Sequence, residues 1–87
     1  MQLLNIGFGN LLNTQWVLAA LSPESQPIKR ITQQAKADGV LIDATHGRKT
    51  RCVLMLSSGH VVLSYLQAES LAARLGQDMQ SREEPHA

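Results

Sequence analysis

The chain has 87 residues, of which 44% are hydrophobic, and its formal net charge at pH 7 is +1. So short a chain forms one domain with a marginal core of its own, and we expect part of its apolar surface to pack against further copies of the protein. The net charge alone neither favours nor excludes a nucleic-acid partner. The longest apolar runs, WVLAAL and CVLML, are too short to cross a bilayer, which argues against a membrane protein.

Aromatic residues and cysteine are rare in the chain, and their scarcity narrows the class of protein that it can be. There is one Phe, one Trp and one Tyr, so the apolar content is mainly aliphatic, as suits strands and tight layers. The single Cys52 excludes an internal disulfide, and one Cys with three scattered His gives no zinc-binding spacing. The N-terminus lacks a basic leader. These features predict a cytoplasmic protein without a metal or a cofactor.

The first elements predicted are two strands separated by a glycine turn. Residues 2–6 (QLLNI) form a short strand that ends at Gly7, and GFGN at 7–10 predicts a tight turn or bulge. Asn5 and Asn10 are suited either to brace that turn or to bond a neighbouring subunit. WVLAAL at 16–21 is continuously apolar and predicts a strand that is buried on both faces.

A helix follows, with recognisable signals at both ends. Ser22 or Ser25 is suited to cap it, and a proline falls in its first turn, where no backbone donor is needed. The helix runs to about Asp38, and Gly39 is a natural stop.

One side of this helix is predicted to be buried and the other to carry charge. Ile28, Ile31 and Ala35 share one stripe, and that stripe should face the core. Lys29 and Arg30 lie off the stripe, so they face water or a partner.

The second half of the chain predicts three more strands and a helix. VLID at 40–43 is a strand, and RCVLMLS at 51–57 and HVVLSYL at 60–66 form a hairpin around a two-residue Ser58-Gly59 turn. Both hairpin strands are apolar on both faces, so one face should meet the helix and the other a second sheet layer or another subunit. Residues 68–75 form a short helix ended by Gly76.

The organisation that these elements predict is one α+β domain over residues 1–76. It contains a small antiparallel or mixed β-sheet with one longer and one short helix. Residues 77–87 are polar and predict a disordered tail.

Charge is distributed unevenly along the chain. Residues 28–51 hold six basic and two acidic side chains, a local charge of +4, whereas residues 77–87 hold three acids and one Arg. A basic central segment beside an acidic tail favours an anionic partner.

The segment DATHGRKTR at 43–51 suggests three hypotheses, the first of them catalytic. An acid–base or nucleophilic site would require Asp43, Thr45 and His46 to converge. Strand alternation puts the first two on one face and His46 on the other, and no oxyanion hole or orienting group is evident. We therefore expect no enzymatic activity, and we expect Asp43 to cap a turn.

The second hypothesis is a phosphate clamp and the third a solvated turn. Arg48 and Arg51 offer planar forks of donors that match phosphate oxygens, and Lys49 adds a point charge. Gly47 allows close approach, and the hydroxyls of the neighbouring threonines, Thr45 and Thr50, can add neutral contacts. Both hypotheses remain open on these residues alone. The lone Trp16 is more typical of a core or an interface than of a base-stacking platform.

Four strings in unbroken order resemble the RemA family of bacterial extracellular matrix regulatory proteins. They are LLNIGFGN (3–10), SPESQPIKRI (22–31), LIDATHGRKTR (41–51) and HVVLS (60–64), and the likeness extends over about residues 3–75. The resemblance implies a DNA-binding transcriptional regulator, best known for activating biofilm-matrix genes, with no cofactor and no catalytic activity. It further implies a LytTR-like fold and a closed homo-oligomeric ring with duplex DNA wound on its basic rim, hence association with the nucleoid.

The resemblance also implies which residues contact DNA. The basic pair of the family's loop matches Arg48 and Lys49, with Arg51 following; Lys stands where Arg is common in the family. Lys29 and Arg30 are further candidates from the charge pattern. At Trp16 relatives carry an Arg implicated in DNA contact, so here we expect either a DNA or a subunit interface. That departure supports a second hypothesis, a ring-forming assembly or adaptor protein that has lost most of its affinity for DNA.

Overall fold

The computed structural model describes residues 2–79, with backbone alone for residues 75–79. The chain folds as β1 (Leu3–Asn5), β2 (Leu11–Asn13), a 3-10 turn (Thr14–Trp16), β3 (Val17–Leu21), α1 (Gln26–Ala37), β4 (Leu41–Asp43), β5 (Cys52–Leu56), β6 (Val61–Ser64) and α2 (Ala68–Met79). The predicted α+β class is confirmed, with two sheets and two helices in the described part of the chain.

The larger sheet is mixed. Its strand order is β3-β5-β6-β4, in which β4 pairs parallel with β6 and the other two pairs are antiparallel. Because β4 is parallel to β6 and β5 is antiparallel to it, β4 ends and β5 begins at the same end of the sheet, and the segment 44–51 joins them there. β1 and β2 form a separate antiparallel hairpin, which the sequence had predicted only in its first strand.

The two faces of β5 and β6 are covered by different layers, as their apolar character on both faces predicted. Val53, Val61 and Leu63 pack with Ala35 of α1. On the other face the core continues into the β1–β2 hairpin and α2, and consists of Leu4, Ile6, Ala44, Cys52, Leu54, Val62 and Leu71. Burial raises the pKa of the Cys52 thiol, so this cysteine is held as a neutral core side chain.

The helix α1 ends as predicted but begins differently in detail. Gly39 has φ +76°, and the N–H of Val40 donates to the carbonyl of Ala35 at 2.9 Å, a Schellman stop. Ser25 is the N-cap residue, yet its side chain makes no capping hydrogen bond.

Three sequence expectations about the strands are wrong. β3 is not buried on both faces: its side chains alternate between half-buried and exposed, because β3 is an edge strand of the sheet. The connection between β5 and β6 has four residues, 57–60, rather than two; in it Gly59 has φ +94° and its N–H donates to the carbonyl of Leu56. β6 ends at Ser64, so Tyr65 is free to point out of the sheet plane.

The second helix is longer than expected. α2 has 12 residues, the same number as α1, and it continues through Gly76 to Met79. Glycine weakens a helix interior by roughly 1 kcal/mol without necessarily ending it. The expected domain boundary at residue 76 therefore falls inside a helix, and residues 80–87 of the predicted tail lie outside the described part of the chain.

Ser64 joins the hairpin to the larger sheet. Its fully buried hydroxyl donates to the carbonyl of Ile6 at 2.9 Å and accepts from the N–H of Leu66 at 3.1 Å. Its own carbonyl accepts from the N–H of Arg51 at 2.8 Å. One residue thus fixes the hairpin, the chain leading to α2 and the end of the 44–51 segment.

We predict that Ser64→Ala lowers the free energy of unfolding by about 1–3 kcal/mol, because the carbonyl of Ile6 would stay buried without its donor. Urea denaturation followed by circular dichroism measures the change. Ser70→Ala, on the exposed surface of α2, is the matched control and should change stability by less than about 0.5 kcal/mol. Equal effects of the two substitutions would contradict the role given to Ser64.

Candidate functional site

The segment 44–51 opens with a tight turn at the end of β4. The N–H of Arg48 donates to the carbonyl of Thr45 at 3.0 Å, and the two central residues, His46 and Gly47, have φ +56° and +83°. Two consecutive positive φ angles are characteristic of a type I′ turn. This turn sets the direction in which the three cations at 48–51 leave the sheet.

Asp43 caps the turn, as the sequence predicted. Its Oδ1 accepts hydrogen bonds from the hydroxyl of Thr45 at 2.6 Å and from the backbone N–H of Thr45 at 2.9 Å. The hydroxyl bond, followed by the backbone bond, lowers the pKa of the Asp43 carboxyl below its usual 3.8. Because the Thr45 hydroxyl is buried and donates to Asp43, the expected phosphate contact from that hydroxyl is wrong.

His46 points away from the Asp43–Thr45 pair. Its ring stacks on Phe8, with ring centroids 4.7 Å apart and an interplanar angle of 28°. The three residues of the catalytic hypothesis therefore do not converge on a reacting centre, and the Asp43 carboxylate serves the turn instead.

GFGN at residues 7–10 forms a second turn with the same signature. The N–H of Asn10 donates to the carbonyl of Gly7 at 3.0 Å, and Phe8 and Gly9 have φ +56° and +78°. Asn5 Oδ1 accepts from the N–H of Gly7 at 2.8 Å, and Asn10 Nδ2 donates to the Gly7 carbonyl at 3.1 Å. The predicted tight turn and its bracing by the two asparagines are confirmed.

The two turns meet through aromatic rings. Phe8, at the second position of its turn, stacks on His46, at the second position of the other, and also contacts Tyr65 at 4.8 Å between centroids. We call Phe8, His46 and Tyr65 the aromatic cluster. The guanidinium carbon of Arg48 lies 5.9 Å from the Phe8 centroid and 5.6 Å from the Tyr65 centroid, within cation–π range.

Gly7 makes this arrangement possible. It is buried, its φ is +114°, and a Cβ added there would overlap the ring of Tyr65. The motif is therefore constrained both by turn conformation and by the close approach of an aromatic ring.

Sequence reasoning missed Phe8 and Tyr65 as residues of the site. The turn was recognisable from its glycines, but ring contacts between residues 8, 46 and 65 are not encoded by local spacing. One signal was present: both turns have a ring-bearing residue directly before a glycine, in GFGN and in THGR.

Arg48, Lys49 and Arg51 come together around one cleft, as the clamp hypothesis requires. The cleft has a volume of about 260 Å³, and these three residues line it together with Tyr65. All three cations are exposed, and no carboxylate of the described residues forms an ion pair with them. We call this the basic cleft. Donors of this kind, when no ion pair within the described residues occupies them, can bind a phosphate oxyanion.

The other two cations predicted to contact DNA, Lys29 and Arg30, lie outside the basic cleft. Lys29 lines a second groove, of about 220 Å³, together with Thr50, the residue between Lys49 and Arg51 in the chain. Arg30 is exposed on α1, and no described contact joins it to the basic cleft. A further groove on the other side of Lys49 and Arg51 contains Glu24 and Glu69, which would repel an anion there.

Trp16 lies at the opposite end of the sheet. Its carbonyl accepts from the N–H of Ser57, just after β5, whereas Arg51 lies just before β5. At the usual rise of a strand the two ends are about 20 Å apart. The Trp16 side chain is 53% exposed, so within one protomer it belongs to neither the core nor the basic cleft.

The part of the chain that the structure describes contains neither a cluster of metal ligands nor a membrane-spanning helix. No group of three or more His, Cys, Asp or Glu side chains there is arranged to hold a metal ion, and His60 Nδ1 lies 2.7 Å from the hydroxyl of Ser58. Within residues 2–79, neither helix has the length and apolar character needed to span a membrane.

Comparison with known proteins connects this geometry to a family. Residues 3–75 match the family model described as "RemA-like: Extracellular matrix regulatory protein A-like". The chain is 50% identical over 82 residues to a protein of Alkaliphilus oremlandii, covering 94% of this chain and 88% of that one. It is 50% identical over 86 residues to one of Moorella thermoacetica, covering 97% and 94%.

A third relative, from Dictyoglomus turgidum, is 56% identical over 75 residues and is covered to 88%, with 86% of this chain matched. All three bear the name "Putative regulatory protein". The range matched by the family model, residues 3–75, includes the residues of both turns, of the basic cleft and of the larger sheet.

We predict that Asp43 titrates below pH 3.8 in the folded protein, because Thr45 donates two hydrogen bonds to its charged form. Since the folded pKa is the lower one, the stabilisation of the turn is complete above the unfolded value and is lost as the pH falls through the folded value. The chemical shift of the Thr45 amide, followed by NMR, reports the titration. Asp43→Asn keeps the acceptor oxygen without the charge and should abolish that titration; a midpoint at or above 3.8 would contradict the prediction.

Proposed function

The chain belongs to the RemA-like family, and from this membership and the basic cleft we propose that it is a transcriptional regulator that binds the phosphates of duplex DNA. The observation that carries the proposal is the convergence of Arg48, Lys49 and Arg51 on one cleft without an acidic partner among the described residues. Family and relatives are named for regulation rather than for an enzymatic activity.

The chemistry of the basic cleft suits a phosphodiester backbone. Arg48 and Arg51 can each offer two parallel N–H donors to one phosphate, and Lys49 adds a mobile point charge. Lys29, in the second groove, can extend the footprint to a neighbouring phosphate, whereas Arg30 has no described link to it. Among these contacts few are suited to read base edges, so we expect recognition through DNA shape and bendability.

One protomer supplies few phosphate contacts, which favours a multivalent arrangement. We propose that copies assemble into a closed homo-oligomeric ring, a LytTR-like unit repeated so that many basic clefts engage one duplex. In support, large apolar side chains remain exposed on the hairpin, in the 3-10 turn and on the edge strand β3: Leu3 and Leu11, Trp16, and Leu18. The family description names regulation of an extracellular matrix, and we propose biofilm-matrix genes as the regulatory target.

A second candidate function follows from Trp16. A 53% exposed Trp about 20 Å from the basic cleft is suited to a subunit or partner interface, where Trp is enriched. On this hypothesis the protein forms the ring as an assembly or adaptor protein and has lost most of its affinity for DNA. An assembled ring that does not bind duplex DNA even at low salt would favour it.

We predict that replacing Arg48 and Lys49 together by Ala weakens the binding of duplex DNA and lowers the dependence of affinity on salt. Each lost phosphate contact reduces the salt slope by about 1, since fewer counterions are released. Fluorescence anisotropy of a labelled duplex at two salt concentrations measures both effects. Lys36→Ala removes one exposed cation from the last turn of α1; it is the control for loss of charge away from the cleft and should change the affinity and the salt dependence little. Binding by wild type that ignores salt would sink the proposal.

We predict that the wild-type protein is a multi-protomer assembly in multi-angle light scattering, and that Leu18→Glu dissociates it. Leu18 is 68% exposed on the edge strand, so a charge there disrupts contacts between copies without disturbing the fold of one copy. Gln26→Glu adds the same charge at the exposed start of α1 and serves as the control. A wild-type monomer would contradict the ring in both candidate functions.

A further inference from the structure

We propose that Phe8 and Tyr65 are positioning residues for Arg48, which they hold in the orientation that binds phosphate. The inference rests on the proposed DNA binding and deepens it, because it assigns the GFGN motif a role in the basic cleft. It also distinguishes Arg48, which the rings hold in place, from Lys49 and Arg51, for which no ring contact is described.

The geometry around the Arg48 guanidinium supports this role. Its carbon lies over both rings, at 5.9 Å from the centroid of Phe8 and 5.6 Å from that of Tyr65. The rings themselves are in contact, at 4.8 Å and 40°, so they form one angled surface beneath Arg48. Rings attract a guanidinium through its flat face, which leaves the N–H groups at its edges available for a phosphate.

Core packing does not explain the position of Phe8. Its side chain is 46% exposed, although it is the only Phe of the chain. It also has φ +56°, a conformation rare for a bulky residue and ordinarily taken by Gly or Asn at this position of a turn. An exposed ring kept in an unfavourable backbone conformation is typical of a functional constraint.

The aromatic cluster is itself fixed by contacts from two segments of the chain. His46 stacks on Phe8 from the neighbouring turn, and Gly7 packs directly against Tyr65. Phe8 is thus held from two sides, by rings that belong to separate segments. A guanidinium lying on this cluster has already lost much of its rotamer freedom, so less is lost when it binds a phosphate.

Lys49 provides the internal contrast. It lines the same cleft, but no described ring contact holds its ammonium, so it remains a mobile charge. Arg48 therefore contributes geometry as well as charge, and its contribution should depend on Phe8 while that of Lys49 should not.

The test is a double-mutant cycle on DNA binding. Phe8→Leu, Arg48→Ala and the double variant are compared with wild type by anisotropy of a labelled duplex at low salt. We expect Phe8→Leu to weaken binding by about two- to fivefold per engaged protomer, the value of an exposed cation–π contact expressed as affinity. In the Arg48→Ala background Phe8→Leu should have no further effect, whereas in a Lys49→Ala background its full effect should remain. Phe8→Tyr, which keeps the ring, should restore binding.

A second measurement is independent of DNA and of assembly. In NMR spectra of the free protein, the rings should shift the side-chain protons of Arg48 upfield, and Phe8→Leu should move them toward ordinary values. Thermal unfolding followed by circular dichroism checks that the variant is folded. Unshifted Arg48 protons in the folded wild type would overturn the inference.

The outcomes separate this inference from the proposed function. If Arg48→Ala weakens DNA binding but Phe8→Leu does not, or weakens it equally with and without Arg48, the inference is wrong and the DNA proposal stands. If wild type binds no duplex DNA at low salt, the DNA proposal fails, and the positioning role in DNA binding fails with it.

Discussion

The buried hydroxyl of Ser64 is the interaction on which the geometry of the site depends. By bonding to the carbonyl of Ile6 it fixes the β1–β2 hairpin against the larger sheet, and its own carbonyl fixes Arg51 at the end of the basic segment. Ser64 is fully buried, so solvent water does not compete for the hydrogen bond of its hydroxyl. Tyr65 follows directly and leaves the strand beneath Gly7. A core hydrogen bond therefore determines where the rings that hold Arg48 lie, which couples stability of the fold to the form of the proposed phosphate site.

Two turns of the same kind meet at this site. Each has two central residues of positive φ, and in each the first is ring-bearing, Phe8 in one and His46 in the other. The rings stack, so the contact between them offsets part of the conformational cost of each turn. Asp43 supports one of these turns through Thr45. The residues that first suggested a catalytic site therefore have structural roles. Asp43 and Thr45 stabilise the turn, and His46 packs on Phe8, over which Arg48 lies.

The two proposed surfaces of the protomer are spatially distinct. The basic cleft lies where β5 begins, and Trp16 lies where β5 ends. The edge strand β3 exposes Leu18, and the outer face of the hairpin exposes Leu3 and Leu11. A small domain cannot cover all of its aliphatic surface, so these residues favour contacts between copies. Separation of the surfaces would allow a ring to form through one and leave the other free for DNA.

Elements whose signals are local could be predicted from the sequence. The apolar stripe and Gly39 stop of α1, the two-faced strands β5 and β6, the braced GFGN turn and the turn-capping Asp43 all follow from periodicity or from side chains that bond within a few residues. Tertiary structure alone decided the rest: that β3 is an exposed edge, that α2 continues to Met79, and that Phe8 and Tyr65 lie beneath Arg48. The physical reason is that edge position and ring contacts depend on chain segments tens of residues apart, and no local pattern encodes which of them meet.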